Sequence, residues 1–66
     1  MDREGQIEAI LQFISEHRES YASLAVCRRA LDQGLAEITG GIIEDLETKL
    51  TTATADEIAA YYSIVR

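Results

Sequence analysis

The side chains able to do chemistry in this chain are few: one histidine, His17, one cysteine, Cys27, two adjacent arginines, Arg28 and Arg29, three tyrosines, and a short acidic run at Glu44, Asp45 and Glu47. A histidine and a cysteine suggest a base and a nucleophile. On one continuous helix their spacing would separate them by about 15 Å of rise, too far for proton transfer. If a turn intervenes they could meet, but no third group is evident to orient the imidazole. Cys27 therefore reads as a small core residue and His17 as a surface or boundary residue. The neighbouring carboxylates read as a solvated helix face. No glycine-rich phosphate loop, calcium loop or Cys/His spacing suited to zinc occurs. The expectation is a protein that is not an enzyme and uses no cofactor or metal.

The arginine pair needs an explanation. The chain has six Lys or Arg and a formal charge of −6, yet two of those cations stand side by side within "SLAVCRRALDQGLAEI", residues 23–38. Net negative charge repels polyanions, which disfavours extended nucleic acid and anionic lipid but leaves room for one small anion at a local cluster. Three readings compete. In the first, Arg29 is exposed, while Arg28 lays its aliphatic stem along an apolar seam and pairs with a carboxylate such as Asp32, one helical turn on. In the second, Arg28 sits in a subunit interface and fixes partner or register. In the third, the arginines neutralise a phosphate through bidentate hydrogen bonds, and Tyr21, two turns before Arg28 on the same helical face, stacks on a base. Tyr61 and Tyr62 are further aromatic candidates, with core packing as the other role for at least one of them.

The elements that would position these residues are helices. No proline interrupts the chain. Ile7, Ile10, Leu11 and Ile14 recur at helical spacing with Phe13 at the border of the stripe, which predicts a first helix over residues 2–17. The polar "SEHRES" that follows reads as a turn, with a continuous helix as the alternative. Tyr21, Leu24, Arg28, Leu31, Leu35 and Ile38 then alternate at three- and four-residue steps, which predicts a second helix over residues 21–38 with Arg28 on its seam. Gly34 falls inside that helix, where glycine costs roughly 1 kcal/mol relative to alanine. Either its missing Cβ admits a second backbone or a ligand, or it is simply tolerated. "TGG" at residues 39–41 reads as the stop of this helix. A third helix uses Ile42, Ile43, Leu46 and Leu50 and ends in "TTAT". There Thr54 followed by Glu57 matches a capping box, opening a last helix that presents Ile58, Tyr61, Tyr62 and Val65 and reaches the C-terminus.

Sixty-six residues with 47% apolar content make one domain, residues 1–66, an all-α bundle of three to four helices. A core that small is marginal alone, and a single cysteine cannot form an intrachain disulfide. Self-association remains, so a homo-oligomer is expected. The lone cysteine fits a reducing cytoplasm, and "MDREGQIEAI" lacks the basic and long apolar regions of a signal peptide. The longest apolar run, "IAAYY", falls far short of the ~20 residues needed to cross a bilayer.

Two resemblances bear on function. Leu24, Ala25, Val26, Cys27, Arg28, Leu31 and Gly34, preceded by a helix and by "HRES", resemble the second helix of the helical-hairpin domain shared by phage anti-CBASS and anti-Thoeris proteins, which sequester cyclic nucleotide signals. Arg29 stands where that pattern has threonine, and Leu35 with Ala36 replaces bulkier residues. This likeness covers residues 7–38. It implies a helical-hairpin core and a non-catalytic sponge for a cyclic nucleotide or ADP-ribose-derived signal, with Tyr21, Arg28, Arg29 and Gly34 as ligand-binding residues. The second likeness covers residues 26–65, where Ala30, Leu31, Gly34, Ile42, Leu46, Leu50, Ala53, Thr54 and Tyr62 are spaced as in the small AriR-type regulators of biofilm and acid response. It implies a helical dimer acting through a protein partner. Small helical co-chaperones of secretion systems are a third and sparser analogy. The sponge stands first and the regulator second. Convergence of Tyr21, Arg28 and Arg29 on a concave interface is the feature that separates them.

Overall fold

A short polar residue opens each of the four helices of the described residues through its side chain. In the computed structural model, which describes residues 2–65, Asp2 accepts a hydrogen bond from the Gly5 N–H at 2.7 Å and starts α1 (Arg3–Glu16). His17 closes it, with its N–H on the Phe13 carbonyl at 2.9 Å and its ring 4.6 Å from that of Phe13. The Ser20 N–H reaches the His17 carbonyl at 3.1 Å, so "HRES", residues 17–20, is a turn and the helix does not run on. Ser20 then caps α2 (Tyr21–Leu31): its hydroxyl accepts from the Ser23 N–H at 3.1 Å and donates to the Ser23 hydroxyl at 3.0 Å. That pairing satisfies Ser23, which is fully buried.

The second helix differs from the expectation in extent and in face. It ends at Leu31, and Asp32 takes the left-handed conformation (φ 53°, ψ 46°). The Gln33 N–H turns back to the Arg28 carbonyl at 3.2 Å, the long closing bond of a Schellman end. Residues 33–39 are therefore a loop, and Gly34 lies in it rather than in a helix. A Cβ built on Gly34 would meet nothing within 4 Å, so no backbone or side chain approaches it closely. The buried face consists of Ser23, Val26, Cys27 and Ala30, whereas Tyr21 and Arg28, expected on the seam, are exposed. Small side chains on that face let neighbouring helices approach, which a reading weighted toward large apolar residues overlooks.

Thr39 starts a helix instead of stopping one. Its hydroxyl accepts from the Ile42 N–H at 3.3 Å, and Gly40 and Gly41 form the first turn of α3 (Gly40–Thr52). After Ala53, the Thr54 hydroxyl accepts from the Glu57 N–H at 3.2 Å and lies 3.3 Å from the Glu57 carboxylate, opening α4 (Ala55–Val65) as the Thr54–Glu57 spacing predicts. Ile58, Tyr61 and Val65 are buried and Tyr62 is half-buried. The expected reach of this helix to Arg66 lies outside the described residues.

The packing is crossed. α1 lies against α4 and α3, α2 lies against α3 and α4, and the consecutive pair α1 and α2 scarcely touch. The described residues are thus all-α with four helices, but residues 7–38 do not form the helical-hairpin core that the first resemblance implies. The short turn at residues 17–20 joins two helices that each bury their apolar stripe against the second half of the chain. Ile10 and Ile14 of α1, Val26 and Cys27 of α2, Leu46 and Leu50 of α3, and Ile58 of α4 have no exposed surface. Among the described residues no helix is long and apolar enough to cross a membrane.

Candidate binding surface on the second helix

At 100° per residue, Tyr21, Ala25, Arg28 and Asp32 fall on one stripe of α2 and its cap, opposite the buried face, and Arg29 lies beside them. All five are exposed. Among the described residues Tyr21 is the large apolar side chain that the fold leaves in solvent, 92% exposed. About 10 Å of helix rise separates it from Arg28. Both arginines occupy the last turn of α2, where the exposed carbonyls of a helix end favour positive charge.

The two arginines serve different elements. Arg28 Nε donates to the Leu35 carbonyl at 2.7 Å, across the turn, so its first commitment is to the α2–α3 loop and not to the carboxylate of Asp32. Arg29 sits within electrostatic reach of α4. Burial pushes the Tyr61 phenol above its ordinary pKa of 10.0, Glu57 pushes it further in the same direction, and the Arg29 guanidinium opposes both. Tyr61 is thereby occupied in the core.

Three surface depressions, of about 420, 370 and 220 Å3, lie elsewhere. The first is lined by residues 15–20, the second by Arg18, Glu19, Leu24, Ala36, Glu37 and Ile38, and the third by Glu4, Ile7, Glu8, Leu11, Glu47 and Thr51. None of the three is lined by Tyr21, Arg28, Arg29 or Gly34. Tyr21 and the arginines share one convex helix face, and Gly34 stands apart in the loop.

Cys27 is wholly buried, and that burial raises its thiol above the ordinary value of 9.0, which disfavours the thiolate a nucleophile needs. His17 is exposed at the end of α1. Among the described residues no group of three or more His, Cys, Asp or Glu is arranged to hold a metal ion.

One cation with a defined role escaped the sequence reading. Arg3 Nη2 donates to the carbonyls of Thr51 at 2.8 Å and Ala53 at 2.6 Å, satisfying acceptors at the C-terminal end of α3 from the first residue of α1. Its partners are 48 and 50 residues away, so no local spacing signals them. Compared with protein-family models, with curated proteins and with solved structures, the chain matches none.

Proposed function

We propose that this chain is a non-catalytic binding protein that works in the cytoplasm through protein contact, with the outward face of α2 as its contact surface and a second copy of itself among the partners. The observation that carries this reading is the 92% exposure of Tyr21 on the same stripe as Arg28, with Arg29 alongside. Tyrosine and arginine dominate the energetic centres of protein interfaces, because each combines a broad apolar contact with directed hydrogen bonds. Ala25 between them keeps the middle of the stripe low, so an opposing helix can come close. A convex face suits a protein partner better than a small molecule, whose sites are concave and bury most of the ligand. Of the two resemblances, this reading follows the regulator.

The sponge reading keeps one specific support. Laying two copies of α2 antiparallel would set Tyr21 of one copy beside Arg28 of the other, twice, and so build between two convex faces an aromatic and cationic site that neither has alone. Calorimetry with a panel of cyclic dinucleotides and cyclic ADP-ribose isomers separates the two. Heat that Tyr21→Ala and Arg29→Ala both abolish, with ligand recovered intact, favours the sponge. Absence of heat, with self-association lost in Tyr21→Ala, favours protein contact alone. Arg28→Ala is the poorer probe, because it also releases the Leu35 carbonyl.

A further inference from the structure

We propose that the groove between α1 and α3 receives a basic amphipathic helix from a protein partner. The groove, of about 220 Å3, has Ile7 and Leu11 on its floor, one turn apart on α1, and Glu4, Glu8, Glu47 and Thr51 around it. Ile7 and Leu11 are half-buried, while the three glutamates are exposed. No cation lines the groove. Arg3, the nearest in sequence, is tied down to the carbonyls of Thr51 and Ala53. Glu4 and Glu8 stand one turn apart on the same face, a like-charge pair that weakens the helix and that an incoming cation would relieve.

The shape and charge select the occupant. Two helices offer no edge of unpaired backbone groups, so an extended peptide would find no main-chain partners there, whereas a helix satisfies its own backbone and presents apolar anchors at three- and four-residue spacing. The carboxylate rim repels nucleic acid and anionic lipid, and it repels a second copy of this chain, whose formal charge is −6. It attracts Lys or Arg flanking an apolar stripe. The surface is distinct from the outward face of α2, so it can succeed or fail independently of the function proposed above.

The test is a titration of the isotopically labelled full chain with a Leu/Lys amphipathic peptide of about four helical turns, followed by amide chemical shifts, beside a scrambled peptide of equal composition. Shifts are expected along Glu4, Ile7, Glu8, Leu11, Glu47 and Thr51. Affinity should fall about tenfold in Glu8→Lys and in Glu47→Lys without a fall in melting temperature, and should hold in Glu37→Lys, which makes the same charge change on the α2–α3 loop. Tyr21→Ser should leave peptide binding intact. Equal binding of the scrambled peptide, shifts spread over the whole surface, an equal loss in Glu37→Lys, or no binding at all would each overturn the proposal.

Discussion

The Nε of Arg28 lies 2.7 Å from the carbonyl oxygen of Leu35, bridging the left-handed turn that ends α2. The carbonyl of Arg28 is engaged in the same turn, accepting from Asp32 and from Gln33. One residue thus holds the turn through both its main chain and its side chain. The direction taken by residues 33–39, which deliver the buried Ile38 to the core, depends on it. Arg28→Ala is expected to cost about 1 kcal/mol by chemical denaturation, the scale of one exposed charge-assisted hydrogen bond. It should also speed amide exchange in residues 33–38, while α1 and α4 keep their protection.

Asp32 occupies backbone space that suits glycine better, at φ 53°. Asp32→Gly should raise stability by about 0.5–1 kcal/mol, and Asp32→Val, whose branched side chain resists that conformation, should lower it by about 1–2 kcal/mol. Paired thermal melts check both. Equal melts for the two variants would mean that the turn is not held left-handed in solution.

Arg3 joins the start of α1 to the end of α3 by two hydrogen bonds from one nitrogen. Arg3→Ala should destabilise the fold by about 1–2 kcal/mol, as loss of a charged donor leaves carbonyls at a helix end unpaired. Arg3→Lys should recover part of that, because one ammonium nitrogen also carries donors for two carbonyls but sits on a shorter stem. Denaturant midpoints, with amide exchange at residues 50–54, provide the readout.

Much of the fold was legible because local signals and burial agree. Asp2 and His17 bound α1 as the apolar stripe predicts, and Leu46, Leu50, Ile58, Tyr61 and Val65 lie where the periodicity of the last two helices places them. The second helix misled because two stripes coexist in it. Tyr21, Leu24, Arg28 and Leu31 form the heptad of larger residues, but Ser23, Val26, Cys27 and Ala30 form the face that packs, and small residues signal close approach rather than hydrophobicity. Its end was hidden because an aspartate takes the left-handed position where glycine would have announced a stop. Leu35 and Ile38 continued the three- and four-residue rhythm by coincidence, one along the loop and one into the core. Of the candidate site, the proximity of Tyr21 and Arg28 on one face was readable. That the face points outward was not, since exposure is decided by where α3 and α4 pack.

Alkaline pH should weaken the fold in a window set by two buried acids. Burial raises the Cys27 thiol from 9.0, and burial, then Glu57, raise the Tyr61 phenol from 10.0 against the opposing Arg29. A folded-state pKa above the unfolded one means that the unfolded chain releases its proton first as pH rises. The contribution is therefore whole below about pH 9 and is lost progressively above it. Cys27→Ala should flatten the earlier part of the decline and Tyr61→Phe the later part, read as the slope of denaturation free energy against pH.

Sedimentation velocity of the wild-type chain and of Tyr21→Ser, each across the micromolar range, bears most directly on the outward face of α2 as a contact surface. The wild type should sediment as a concentration-dependent oligomer, and Tyr21→Ser as a monomer that keeps the wild-type helical content and melts lower only by the margin that association adds, since a side chain 92% exposed contributes nothing to the core. A wild-type chain that stays monomeric throughout, or a Tyr21→Ser variant that associates as strongly as the wild type, would contradict it.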